Sequence, residues 1–340
     1  MNELKKYADT LLPERSVKIQ RIGGGYYADV YRLDFKVSEP LVVKVYKSEQ
    51  VMENEIAQLA ILKTHSLYPV PDIILSHNKN KKYGKDFIIM NFLEGDNAGK
   101  IHYMSSDKRN KLANSIIDNL VALHNVHNPL GFGDINGEKF YENFNDYYKE
   151  KVSDILAMAS ELHRKKELTD YVYDVAKSAA ENFDKIFYLP ITESSLVHGD
   201  YNTWNILANK KQCKVTAIID PCGCMWADRE YDLYQLNNAN GKHLKLFETY
   251  ANKLPLSKNC FEKMAFYGCT SYTDIKIPET LTDIDEYAFW GNDSLKEIKF
   301  SINLREIPSY AFSNCRNLLA VSVPYSVKSI SSKAFENCIS

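Results

Sequence analysis

The chain has 340 residues, 45% of them apolar and 25% charged, which is enough for one large core or two smaller ones. Lys and Arg total 42 against 44 Asp and Glu, so no net field favours nucleic acid or an anionic membrane as a partner. No stretch approaches the roughly 20 apolar residues of a membrane span, and the start, MNELKKYADTLLPERS, mixes charges into a short helical pattern; both features predict a cytoplasmic protein.

In chain order, the first informative segment is RIGGGYYADVY, residues 21 to 31, which leads into the apolar run Leu41 to Tyr46. These runs read as strands joined by turns. Gly23, Gly25, Ala28 and Val30 fit G-x-G-x-x-A-x-V, a hairpin whose backbone N–H groups can lie close over phosphates where a Cβ would intrude. Lys44 falls mid-strand between Val43 and Val45, where a charge is costly unless it is paired. The following segment, VMENEIAQLAILKTH, has helical spacing and offers Glu55 as the partner, with Glu53 as the rival in the same helix. Such a lysine, paired with the glutamate, would hold the α- and β-phosphates of a nucleotide. Next comes the strand DFIIMNFLEG, residues 86 to 95. In a kinase reading this is the hinge, with backbone groups near Asn91 and Leu93 meeting the adenine edge; a plain buried strand accounts for the same letters.

The strongest signal is LVHGDYNTWNIL, residues 196 to 207, followed by TAIIDP, residues 216 to 221. Two acids and an amide stand on short loops between apolar strands. Phosphoryl transfer needs a carboxylate near the attacking hydroxyl and oxygen ligands that hold magnesium against the phosphates. The spacing H-x-D-x-x-x-x-N with a later strand-end Asp supplies each part.

HGDYNTWN, then IID, then DREYDL at 228 to 233 resemble, in this order, the motif set of the aminoglycoside phosphotransferase superfamily, with the D-P step and DREYDL closest to the fructosamine kinase branch. The similarity spans about residues 15 to 265, including LVALH at 120 to 124 and FYENF at 140 to 144. The resemblance implies an α+β, two-lobed protein-kinase-like fold, with Asp200 as catalytic base, Asn205 and Asp220 as magnesium ligands, His198 bracing the loop and Asp232 in a structural role. It implies ATP as donor, GTP being preferred by some members, and Mg2+ as the metal. The acceptor it implies is the hydroxyl of a small molecule: a fructosamine or related ketoamine first, an aminoglycoside or amino alcohol second.

The seven cysteines are odd in number, and Cys222 with Cys224 forms a lone C-x-C with no second pair, so reduced thiols are expected. In the tail, Ala-Phe recurs at 265, 288, 311 and 334, a step of 23 residues, within a pattern I-x-x-x-A-F-x-x-C-x-x-L-x-x-I-x-I/V-P. Asn292 replaces one of the cysteines. This segment, about 265 to 340, resembles BspA-like leucine-rich repeats, whose stacked strands build a solenoid. The helical pattern over Gly241 to Lys258 is followed by Phe261 to Tyr267, which matches both a kinase helix and the first repeat, so the repeats are expected to replace the family's last helices.

The division expected is a small lobe at 1 to 94, a large lobe at 95 to 262 and repeats of 23 residues at 263 to 340. The repeats would present a surface to a protein partner. The rival is a repeat-based binding protein whose kinase part is a relic; the intact Lys44, Asp200, Asn205 and Asp220 weigh against it, and the missing helices weigh for it.

Overall fold

The computed structural model describes residues 2 to 271 and 297 to 338, apart from Tyr26, Glu49, His102, Tyr103, Ser301, Asn314, Arg316, Asn317 and Leu319. The repeat anchor Ala288-Phe289 and Asn292 lie outside the described residues. The chain divides into two compact units, one formed by 1 to 144 and 191 to 255, the other by 145 to 190 and 256 to 340.

The first unit opens with helix α1 (Asn2–Ala8) and a five-stranded antiparallel sheet in the order β1 (Lys18–Gly24), β2 (Ala28–Asp34), β3 (Leu41–Tyr46), β5 (Phe87–Asn91), β4 (Ile73–His77), with helix α2 (Val51–His65) between β3 and β4. Strand alternation divides the apolar residues between two cores. Val43, Val45, Phe87 and Ile89 pack with Leu4 and Ala8 of α1, whereas Tyr46, Ile88 and Met90 pack with Met52 and Leu59 of α2. A strand buried on both faces explains why FIIMN carries no polar residue before Asn91. The same alternation sends the Lys44 side chain to the α2 side, one pleat from Tyr46.

The short strand β6 (Asp96–Asn97) follows, then helix α3 (Ser106–His124), capped by the Ser105 hydroxyl, and the short strand β7 (Gly133–Asp134). A three-stranded sheet of β7, β11 (Met225–Ala227) and β8 (Ser195–Val197) and a second of β10 (Lys214–Ile218), β9 (Ile206–Asn209) and β6 carry the loops of the motif region. The pattern over Gly241 to Lys258 forms two short helices, α7 (Gly241–Leu244) and α8 (Leu246–Ala251), where the sequence suggested one. The break is at Lys245, whose φ of 58° is left-handed and ends the first helix. Leu244, Leu246 and Tyr250 are buried nonetheless.

The second unit contains α4 (Phe144–Arg164), continuing from the first unit at Asn145, with α5 (Asp170–Glu181), α6 (Phe183–Ile186) and α9 (Cys260–Ser271). The first Ala-Phe pair lies inside α9, and Phe266 joins an aromatic cluster with Tyr148, Phe183 and Phe187 at centroid distances of 6.1, 5.7 and 5.2 Å. Phe266→Ala is expected to destabilise this unit by about 3–5 kcal/mol, read as a lowered denaturation midpoint; a loss under about 1 kcal/mol would show that α9 is not part of its core.

Further along, β12 (Glu297–Lys299) pairs in parallel with β14 (Ala320–Ser322), and β13 (Glu306–Ile307) with β15 (Ser329–Ile330). Glu297 faces Ala320 and Glu306 faces Ser329, so each residue meets its equivalent one repeat later. Phe312, Ala311, Cys315 and Ala334 sit in one core with Ile298, Leu304 and Ile307, against which Tyr171 of α5 also packs. Cysteines 213, 222, 224 and 338 are free thiols. Among the described residues no helix is long and apolar enough to cross a membrane.

Candidate active site

The β1–β2 hairpin closes with Gly25 N donating to Ala28 O at 2.9 Å, and the register slips between Arg21 and Gly23. Gly24 has a φ of 145°, and a Cβ there would strike the Arg21 and Asp29 side chains, whereas open space surrounds Gly25. Asp29 holds the hairpin through Arg21, at 2.8 Å, and Lys47, at 3.4 Å. Gly23 pairs with Val30 across this hairpin, and Val30 in turn faces Lys44 on β3.

Lys44 is 8% exposed and Glu55 5% exposed, so each charge requires compensation. The Lys44 ammonium lies 2.7 Å from Glu55 Oε2 and also pairs with Asp220, and the Tyr46 hydroxyl donates to Glu55 Oε2 at 2.9 Å. Glu53 is exposed. Burial pulls the Lys44 pKa down, but the Glu55 and Asp220 carboxylates outweigh it, and the net shift is upward. Glu55→Gln is expected to cost roughly 3 kcal/mol of stability, the lower end for breaking a buried pair because Asp220 still meets Lys44. Unchanged stability of the variant in denaturant would show that Glu55 is not the counter-charge Lys44 requires.

The motif loop runs from β8 to β9. Gly199 has a φ of 83°, and a Cβ there would collide with the Cys222 carbonyl oxygen, so only glycine lets the two loops approach. Asn202 caps a 3₁₀ turn over Thr203–Asn205 by accepting from Trp204 N. Asp200 Oδ1 accepts from Asn202 Nδ2 at 2.6 Å and Oδ2 accepts from Asn205 Nδ2 at 2.7 Å. The Asn205 amide nitrogen also donates to Asp200 O, so its Oδ1 is the atom left to face a cation. Ile219 N donates to Asn205 O at 2.9 Å, which ties the Asp220 loop to the Asp200 loop. Asp220 adopts a φ of 55°, and its side chain is 52% exposed.

Burial raises the Asp200 pKa above the ordinary value of 3.8, opposed by the His198 imidazole and the Asn205 and Asn202 amides. The fully buried His198 is pushed down by desolvation, against the pull of Asp232 and Asp200. Asp232, fully buried, accepts from His198 N and Gly199 N, each at 2.8 Å, and so clamps the loop backbone.

Lys44, Glu55 and Asp220 thus form one bonded set and Asp200 with Asn205 a second, the two loops being joined by the Ile219 N to Asn205 O bond. Asn91 and Leu93 stand apart from both: Asn91 Oδ1 accepts from Asp72 N at 2.8 Å, a brace to β4, and Phe92 N donates to Pro40 O at 3.3 Å. The sequence reading missed three contributors. Tyr46 was hidden as a strand aromatic. His124 lies 3.2 Å from Asp232 Oδ2, and the exposed Trp204 sits within the capped turn with its backbone carbonyl held by Asn97. The polar Tyr46 within an apolar strand and the His ending LVALH were the available signals.

The family model for the phosphotransferase enzyme family matches residues 18–247. The chain belongs to this family. The family model described as a BspA type leucine rich repeat region of six copies matches residues 249–340. No curated protein matches the sequence. Among solved structures, an aminoglycoside phosphotransferase complexed with GDP and kanamycin superposes with a TM-score of 0.59 at 16% identity, covering 80% of this chain and 91% of that one. A protein from Haemophilus somnus 129PT assigned as a fructosamine-3-kinase gives 0.58 at 16% identity over 78% and 86%. A macrolide 2'-phosphotransferase of type I gives 0.56 at 17% over 80% and 88%. At these identities the likeness establishes the kinase-like fold of mixed helices and sheets.

Proposed function

We propose that this phosphotransferase family member moves the γ-phosphoryl group of ATP or GTP to a hydroxyl of a small molecule, with a fructosamine or related ketoamine as first acceptor class and an aminoglycoside or amino alcohol as second. The observation that carries this reading is the arrangement in which Lys44, oriented by Glu55, meets Asp220 while Asp200 and Asn205 share hydrogen bonds on the adjoining loop. In the reaction the bond from Pγ to the bridging oxygen breaks as the acceptor oxygen bonds to Pγ; the hydroxyl proton passes to an Asp200 carboxylate oxygen and the nucleoside diphosphate leaves. Lys44 would meet the α- and β-phosphates beneath the hairpin of Gly23, Gly25, Ala28 and Val30, and the backbone near Asn91 and Leu93 would receive the base.

The donor set suits magnesium: a half-exposed Asp220 carboxylate and the Asn205 amide oxygen are hard oxygen ligands, too few for a closed cage and suited to an ion completed by phosphates and water. Bound there, Mg2+ would neutralise charge developing on the phosphoryl oxygens. In this division of labour residues 1 to 94 form the nucleotide lobe, 95 to 262 the acceptor lobe, and 263 to 340 a solenoid of repeats that offers a protein partner a surface, all in the cytoplasm.

A thermal-shift titration with Mg-ATP and Mg-GTP tests nucleotide use, since a ligand that binds only the folded state at 100 times its Kd adds about 2.7 kcal/mol. A rise in melting temperature that needs magnesium is expected. No shift with either nucleotide would favour the relic with binding repeats.

A further inference from the structure

Beneath the motif loop lies a buried polar chain that the catalytic group does not include. The Tyr250 hydroxyl lies 2.8 Å from His124 Nδ1, and His124 Nε2 lies 3.2 Å from Asp232 Oδ2, the carboxylate that accepts from His198 N and Gly199 N. Tyr250 and Asp232 are fully buried and His124 is 1% exposed, so the bonds must be mutually consistent. Only one proton arrangement satisfies every neutral group beside an ionised Asp232: Tyr250 O–H donates to Nδ1, and Nε2–H donates to Asp232. The hydroxyl therefore selects the His124 tautomer that can bond the carboxylate. Without it the imidazole can carry its proton on Nδ1 and turn a lone pair toward Asp232, loosening the clamp on the loop that bears Asp200.

We propose that Tyr250 is a positioning residue for the catalytic loop, acting through His124 and Asp232. Tyr250 lies outside the 18–247 match of the phosphotransferase family and inside the 249–340 match of the repeats. The segment matched as repeat thus supplies the end of the kinase brace, and a boundary drawn at 248 would cut through it. The effect on turnover rests on the phosphotransferase reading; the effect on the loop amides does not.

Tyr250→Phe keeps the ring and removes only the hydroxyl. In the full chain it is expected to lower kcat about tenfold, leave both KM values within about twofold, and speed hydrogen exchange at the His198 and Gly199 amides at least tenfold. The 15N spectrum of His124 should lose its single Nε2–H tautomer. In His124→Asn the same substitution should add nothing further. Unchanged exchange at both amides with an unchanged tautomer would overturn the proposal, even if the melting temperature falls, and so would additive losses in the double variant. If no acceptor supports turnover in the parent chain, the exchange and 15N measurements decide the proposal alone.

Discussion

Asp200→Asn is expected to cut turnover by about three orders of magnitude and leave the Mg-nucleotide Kd within about twofold. In the proposed reaction the carboxylate would meet the acceptor's proton and not the nucleotide, so its loss should appear in kcat. Asp200 accepts from one amide on each oxygen, from Asn202 at 2.6 Å and Asn205 at 2.7 Å. An asparagine presents an NH2 group to one of these donors, so a modest drop in melting temperature should accompany the loss of rate. Because burial holds the Asp200 pKa above 3.8, its acidic limb should lie above the ordinary aspartate range, with the rate rising as pH rises through it. Near-parental kcat in the variant would remove Asp200 from the role of base.

The second large effect is expected at Asp220. Asp220→Ala should raise the nucleotide Kd at least tenfold in magnesium and change it little in EDTA, so that the magnesium dependence itself collapses. The substitution would remove a proposed oxygen ligand, and it removes one partner of Lys44, which keeps Glu55 at 2.7 Å. Alanine is strained at a φ of 55°, where Asn is tolerated. Asp220→Asn is therefore the companion variant, and it should show the same loss of magnesium dependence with less loss of stability. A magnesium effect of parental size in both variants would contradict the assignment.

Several of these positions were legible in the sequence because they violate the local pattern around them. A lysine inside LVVKVY demands a buried counter-charge, and the helical phase that places Met52, Leu59 and Leu62 inward also turns Glu55 inward and leaves Glu53 exposed. The 23-residue period was equally legible, since it is the offset between the paired strands β12 with β14 and β13 with β15. The buried chain from Tyr250 through His124 to Asp232 was not. Its members are 126 and 108 residues apart, and a tyrosine on an apolar helical face gives no sign that its hydroxyl is engaged. The break at Lys245 was hidden for a related reason: a left-handed lysine has no compositional marker, unlike a glycine. Asn91 shows the opposite limit, because its position at the end of an apolar strand fits a hinge, while its side chain serves as a brace to Asp72.

The central claim is phosphoryl transfer to a small-molecule hydroxyl, and its most direct measurement is transfer from γ-labelled ATP and GTP to a panel of ketoamines, aminoglycosides, macrolides and amino alcohols, with Asp200→Asn as the blank. The account predicts a labelled phosphate ester on at least one acceptor, one nucleoside diphosphate released per ester formed, dependence on magnesium, and loss in the blank. Labelled product from Asp200→Asn at the parental rate, or no ester on any acceptor from a chain that binds neither Mg-ATP nor Mg-GTP, would contradict it.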